Sequence, residues 1–452
     1  MSPQENESLL QKRVSVQGQE YWLEEPLGGG LTAEVYKGKD PSNPSSEVAV
    51  KIARPGLSDN LRERFKKENE VLRNLQKYSQ GTHYFPGVLA FDEACEISGM
   101  KRMVLIQELV PADFKPLSDL KLGYRDLHLP EPLALTIGVR YLEALEIVHR
   151  AGYACRDRKL RDIRWEWADG WAGEGWKSQL GKGASSGELR ILDWNVVGGK
   201  SEQPDDLLKF GEFWFELLLG FQLPMRMSRV KQDDGQENEQ WWPIGRLEQQ
   251  PGWDELSFGT QQLLAQLLYP GLLKNGTAGE LCGKFEKIRE IWAESPQTLS
   301  NEVLQPGAPE SPEATEQDLK KADVAYLACT RYKMGGLPAG LADKRGSLKR
   351  QWEALANGPV NDARTSLMLA KFDEARKKVA GLRQDNPGWR WDTAYIRILA
   401  DVASNVVKGK LYLQGGADLQ RWISGLASLK PNEVSLEELK QALAALGISC
   451  EE

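Results

Sequence analysis

Histidine is nearly missing from this chain, with three in 452 residues, and the five cysteines (Cys95, Cys155, Cys282, Cys329 and Cys450) include no Cys-x-x-Cys pair. That combination excludes the usual zinc spacings and a dense disulfide framework. Long apolar runs are missing too. The longest, Phe210 to Leu223, is interrupted by Glu212 and Glu216 and is too short to span a bilayer. Positive charge is not in excess: the net charge of −7 argues against a dominant nucleic-acid or membrane-surface role, which needs a basic face. The opening Met1-Ser-Pro-Gln-Glu-Asn-Glu is polar and acidic, without the apolar core of a secretory signal. The expectation is a cytoplasmic protein with neither nucleic acid nor membrane as partner. What is present is an ordinary globular composition, 41% hydrophobic and 27% charged. The length exceeds what one core supports, so two or three domains are expected.

The chemistry-bearing stretch is Tyr153-Ala-Cys-Arg-Asp-Arg-Lys-Leu-Arg-Asp-Ile163, answered further on by Arg190-Ile-Leu-Asp-Trp-Asn195. Asp157, Asp162 and Asp193 sit with Lys159 on short turns that leave apolar segments. Carboxylates in this arrangement can hold Mg²⁺, a hard cation that prefers oxygen, and can orient a hydroxyl for attack on phosphate.

A second cluster precedes it. Leu27-Gly-Gly-Gly-Leu-Thr-Ala-Glu-Val-Tyr-Lys-Gly38 has strand-like sequence on both sides, and its glycines allow a backbone to approach phosphate closely. In the next strand, Glu47-Val-Ala-Val-Lys-Ile-Ala53, period-two alternation puts Val48, Val50 and Ile52 on one face and Ala49 and Lys51 on the other. The following helix carries Leu61, Phe65, Leu72 and Leu75 on one stripe, and Glu68 falls on that stripe. A carboxylate there needs a cation, and Lys51 is the natural one. Glu70 is a rival, but it sits off the stripe.

Together these segments resemble the protein-kinase superfamily, of the bacterial Ser/Thr type and divergent. The resemblance implies an α+β fold with two lobes, β-rich then α-rich, and the helical patterns and scarce strand signals beyond it suggest a following all-α domain. The expected boundaries are an N-terminal extension at 1–17, an N-lobe at 18–110, a C-lobe at 111–293, a linker at 294–317 and a helical interaction domain at 318–452. The resemblance implies that Gly28, Gly29, Gly30, Val35, Ala49, Lys51, Glu108 and Val110 line an ATP site, with Gln107 as gatekeeper. Lys51 would bind the phosphates and Glu68 would hold Lys51. Asp157 would orient the substrate hydroxyl, Lys159 would neutralise charge on the transferring group, and Asp162 and Asp193 would hold Mg²⁺. Asp206 to Gly220 would be the central helix of the C-lobe, with Asp206 as its anchoring aspartate, and a further helix is predicted over Leu133 to Ala151.

Departures are visible as well. Cys155 stands where the family has histidine, Trp194-Asn195 replace Phe-Gly, and Asp162 replaces asparagine. Only Val196 to Asp205 separate Asp-Trp-Asn from the Asp206 helix, which leaves no room for a full activation segment. Between the loop and Asp193, Ile163, Trp165 and Trp167 alternate as a strand does, and Trp171 and Trp176 follow in a Gly-, Lys- and Ser-rich hairpin.

The stretch from Glu294 to Glu316 reads as a Pro/Ser-rich exposed linker. Beyond it, Phe372 to Pro387 resembles one helix of a tetratricopeptide-type pair without a fixed repeat. Ser435-Leu-Glu-Glu opens a last helix with a capping box. The expected function is an ATP- and Mg²⁺-dependent phosphotransferase acting on Ser/Thr hydroxyls of protein, with a signalling partner on the helical tail. A pseudokinase scaffold and a small-molecule kinase are the alternatives.

Overall fold

The structure is a computed structural model that describes residues 9–79, 82–120, 128–155, 159–166, 177, 188–194, 197–223, 225–231, 237–243, 247, 250–268, 276–305 and 312–352. The chain forms two compact units. One comprises Met1–Gln305 with Lys320–Leu341, and the other Pro306–Leu319 with Ala342–Glu452.

The first unit opens with six strands: β1 (Arg13–Val16), β2 (Gln19–Gly29), β3 (Ala33–Asp40), β4 (Asn43–Ala53), β5 (Val88–Ile97) and β6 (Met100–Glu108). They form one antiparallel sheet in the order β1-β2-β3-β4-β6-β5. Alternation decides its faces, as expected for β4. Val48, Val50 and Ile52 enter one apolar cluster with Val14, Val16, Leu23, Tyr36, Val104 and Ile106. The register puts Val35 and Leu105 opposite Lys51, and Lys37 and Gln107 opposite Ala49, so these residues share the other face. Arg13–Val16 corrects the expected boundary: residues assigned to an extension supply the edge strand, because Val14 and Val16 complete the apolar cluster.

Between β4 and β5 runs α1 (Asp59–Tyr78), which buries Phe65, Glu68, Val71, Leu72 and Leu75. The stripe is as read, except that Leu61, in the first turn, is only half-buried. Phe65 meets Phe91 of β5 at 6.3 Å between ring centres.

Helices dominate the rest of the described chain: α2 (Leu117–Leu120), α3 (Glu131–Arg150), α4 (Gln203–Leu219), α5 (Phe258–Leu268), α6 (Ala278–Ala293), α7 (Pro296–Val303) and α8 (Pro312–Thr330). The central helix α3 is buried along nearly its whole length. It packs closely on α6, where a Cβ added at Gly138 would lie 2.7 Å from the Phe285 ring. Phe210 and Trp214 of α4 meet Phe285 at 5.4 and 4.3 Å and close this core. Beside it lies a three-stranded sheet in the order β7 (Phe114–Pro116), β8 (Ile163–Glu166), β9 (Leu189–Ile191). Ile163 and Trp165 are buried, as their alternation predicts. Trp167, Trp171 and Trp176 lie outside the described residues. A two-stranded hairpin, β10 (Met225–Lys231) with β11 (Glu237–Pro243), is not among the elements expected from sequence.

Two further boundaries differ from those expected. Pro296–Val303, assigned to a linker by its prolines and serines, is a helix because Ser295 caps it through Thr298 N–H (3.1 Å) and Leu299 and Val303 are buried. Residues 320–341, assigned to the tail, belong to the first unit. Glu131, almost fully buried, explains why. Its carboxylate accepts from Ser257 N (2.8 Å), Ser257 Oγ, Thr260 Oγ1 (2.6 Å) and Trp292 Nε1 (3.0 Å), while its backbone N–H donates to Tyr332 Oη at 3.0 Å. Burial pushes the Glu131 pKa up, against the pull of these donors. Glu131→Gln turns an amide N–H toward a donor. A loss of about 2–3 kcal/mol is expected, read from the denaturant midpoint, and an unchanged midpoint would contradict the network.

In the second unit, 312–319 and 342–352 are helical. The segments around Phe372 and Ser435 fall outside the described residues.

Candidate active site

The sheet face that carries Lys51 is covered by α1, which brings Glu68 to it. Lys51 Nζ lies 2.9 and 2.6 Å from the two Glu68 oxygens and 3.8 Å from Asp193 Oδ1. Glu68 is 1% exposed, whereas Asp193 is about half-exposed at its side chain. Burial favours neutral Lys51, but the charges of Glu68, Asp193 and Asp162 outweigh it, so its pKa is raised and the ammonium persists. Glu70, the rival, is exposed and pairs with Lys67 at 2.8 Å.

Asp193 is placed by its backbone. Its φ of +60° is a left-handed conformation that aspartate tolerates better than most residues. Trp194 turns into the core, fully buried, with its indole N–H on Ile191 O at 3.0 Å and its ring edge-on to Phe85 at 5.1 Å. The large indole is thus accommodated, and its polar N–H is satisfied. Lys159 precedes a short 3₁₀ turn, Leu160–Asp162, closed by Asp162 N–H on Lys159 O (2.9 Å). Leu192 N–H on Asp162 O (2.8 Å) then ties the Asp162 backbone to the residue before Asp193. Asp157 lies outside the described residues, as do Arg156 and Asn195. Lys51, Glu68, Asp162 and Asp193 are therefore gathered from four segments by the fold.

On the covering side, β2 ends at Gly28 and Gly29, Gly30 follows at the exposed tip, and Gly28 has φ +152°, a backbone that favours glycine. Val35 and Ala49 share the Lys51 face. Gln107 is buried in β6. Glu108 ends that strand with its carboxylate turned to Gly87 N–H (2.9 Å) and its own N–H on Gly87 O (2.8 Å), so its side chain is committed to the fold. Val110 follows, half-buried.

Asp206 is anchored as expected, through an unexpected partner. Its Oδ2 accepts from Cys155 N–H at 2.8 Å and lies 2.9 Å from His149 Nε2. Cys155 is held by its backbone, and His149, at the end of α3, shares the same oxygen. Gln203 Nε2 donates to both His149 O (2.9 Å) and Tyr153 O (3.0 Å), and Asn74 of α1 donates to Tyr153 Oη at 3.2 Å. These supports were not identified from sequence, although His149 is one of only three histidines. Asp206→Ala removes a nearly buried acceptor from two donors. It is expected to lower stability by about 2–4 kcal/mol in thermal unfolding, with Asp206→Asn intermediate.

Among the described residues one other group brings metal-ligand atom types together. Ligand atoms of Glu143, Cys282 and Glu286 lie within 4.8 Å of one another. Burial, reinforced by the two carboxylates, pushes the Cys282 thiol up to about 12, and Glu143 is engaged by Tyr84 and by Arg140 at 2.9 Å.

No protein-family model matches the chain. Two curated relatives are similar to it. The serine/threonine-protein kinase drp72 of Corynebacterium efficiens is 28% identical over 156 residues, 34% of this chain and 28% of the relative. The serine/threonine-protein kinase PknA of Corynebacterium glutamicum is 28% identical over 144 residues, 31% of this chain and 29% of the relative. The chain thus spans under a third of the length of the relatives it matches. Among solved structures, the BubR1 kinase domain matches with TM-score 0.44 and 13% identity, over 70% of this chain and 88% of that one. The Mycobacterium tuberculosis PknI kinase domain matches with TM-score 0.40 and 16% identity, over 61% and 97%.

Proposed function

We propose that this chain, which carries a divergent protein-kinase-like domain, binds ATP in the Lys51 cleft and transfers its terminal phosphoryl group to a Ser/Thr hydroxyl. The observation that carries this reading is the closed Lys51–Glu68 pair with Asp193 at 3.8 Å. An ammonium fixed by one carboxylate and set beside a second, half-exposed one is poised to hold phosphate and a divalent cation together.

The donor set fits Mg²⁺: Asp193 and Asp162 would hold it, and it would supply charge neutralisation along the phosphates. The chain's own residues do the rest. Lys51 binds phosphate oxygens while Glu68 restrains its position. Gly28, Gly29 and Gly30 cover the phosphates, Val35 and Ala49 line the base site, and the Glu108 and Val110 backbone meets the adenine. Asp157 accepts the hydroxyl proton as the oxygen attacks phosphorus, and Lys159 offsets charge on the transferring group. No described helix is long and apolar enough to cross a membrane. The tail beyond residue 341, helical over 342–352, is the proposed surface for a signalling partner.

A second reading, a nucleotide-binding pseudokinase, is favoured by one observation: α4 begins at Gln203, so soon after Asp193 that the usual substrate platform has no place. Incubation of the full chain with labelled ATP and Mg²⁺, beside Asp157→Asn, separates the two. Label transfer to a protein, lost in Asp157→Asn, is expected. Binding without transfer supports the second reading, transfer only to metabolites indicates a small-molecule kinase, and absence of binding overturns them all.

A further inference from the structure

We propose that Arg54 is a positioning residue that holds the glycine-rich hairpin down over the nucleotide. The inference rests on the nucleotide reading of the cleft but concerns a residue that reading does not use. Arg54 follows β4 directly. Its backbone N–H donates to Thr32 O (2.9 Å), its Nε to Gly30 O (2.8 Å) and its Nη1 to Glu34 Oε1 (3.0 Å). Glu34 in turn accepts from Tyr36 Oη at 3.1 Å, and Tyr36 is part of the sheet's apolar cluster. Next to it, Arg102, nearly buried, donates to Ala53 O at 2.7 Å and fixes the end of β4 from behind.

The hairpin tip is therefore tied to the core by the Arg54 guanidinium in addition to its backbone N–H. Gly30 N–H on Ala33 O (2.9 Å) closes the turn, Thr32 is 7% exposed beneath it and Leu31 is 86% exposed above it. A Cβ on Gly29 would lie 3.3 Å from both Arg54 Nη2 and Ala33 O. Gly29 is thus small because the guanidinium passes beside it, in addition to any approach of phosphate. Three consecutive glycines carry the largest backbone entropy of any such run. Ordering them before ligand arrives lowers the cost of closing on phosphate. A planar fork can reach Gly30 O and Glu34 at once, which a lysine ammonium cannot.

The test uses the full chain with Arg54→Ala and Arg54→Lys. Amide hydrogen exchange at residues 28–34 is measured without ligand, and affinities are measured for ATP with Mg²⁺ and for adenosine. Arg54→Ala is expected to accelerate exchange in the hairpin and weaken ATP about tenfold while leaving adenosine unchanged. Arg54→Lys should recover part of both effects. Unchanged exchange, equal weakening of ATP and adenosine, or no recovery by lysine would each overturn the proposal. A wild-type chain that binds neither ligand overturns the nucleotide reading instead. The two failures are told apart by the exchange rates, which need no ligand.

Discussion

Lys51→Met is expected to lower the free energy of unfolding by about 3–5 kcal/mol and to abolish ATP binding in the same variant. The first effect follows from Glu68, which is 1% exposed and loses the partner 2.6 Å away. A buried unpaired carboxylate is costly whether it stays ionised or takes up a proton. The second follows because Lys51 is the ammonium that the sheet sets beside Asp193. Lys51→Met with Glu68→Leu separates the two contributions: the midpoint of thermal unfolding should return most of the way, and ATP binding should not. A single variant as stable as wild type would show that the pair is not buried as described.

The same pair sets a pH expectation. The Lys51 pKa is raised above its unfolded value, burial being outweighed by Glu68, Asp193 and Asp162. Its stabilising contribution is therefore complete below the ordinary lysine range and is lost only as pH rises through the folded value. Across neutral pH the contribution of the Lys51 ammonium to wild-type stability should therefore be flat.

Asp193→Asn tests the chemistry with little effect on the fold. Asparagine tolerates the left-handed backbone at φ +60°, and the side chain is about half-exposed, so stability should change by no more than about 0.5 kcal/mol. What disappears is one negative charge at the proposed Mg²⁺ position. Loss of that charge is expected to lower Mg²⁺-dependent phosphoryl transfer by about a hundredfold or more. Titration of ATP binding with Mg²⁺ should show a weaker metal dependence with a nearly unchanged metal-free affinity. Asp193→Ala, by contrast, adds roughly 1–2 kcal/mol of backbone strain and should also lower the melting temperature. Wild-type transfer by Asp193→Asn would remove Asp193 from the site.

Local patterns made much of this legible in advance. Alternation in Val48-Ala-Val-Lys-Ile52 decides which side chains leave the core, so Lys51 could be assigned to a face without coordinates. The 3.6-residue period put Glu68 on a buried stripe, and a buried carboxylate demands a cation, so their pairing followed from two short segments. The helix ending near Gly152 was legible for similar reasons, whereas the anchoring role of Asp206 came from the family resemblance. The Arg13–Val16 edge strand, the Met225–Pro243 hairpin and the Pro296–Val303 helix were not. Each is short or polar, so its own periodicity is too brief to announce it.

By itself, then, the sequence determined the alternating faces of β4, the buried carboxylate of α1 and the presence of an acidic loop, because strand and helix periodicity are properties of neighbouring residues. Only the tertiary structure decided that His149 joins Cys155 on Asp206, that residues 320–341 complete the helical core through Tyr332, and that Arg54 reaches back to Gly30. Those choices depend on how far apart segments come to rest once the core is packed, a distance that local periodicity does not contain.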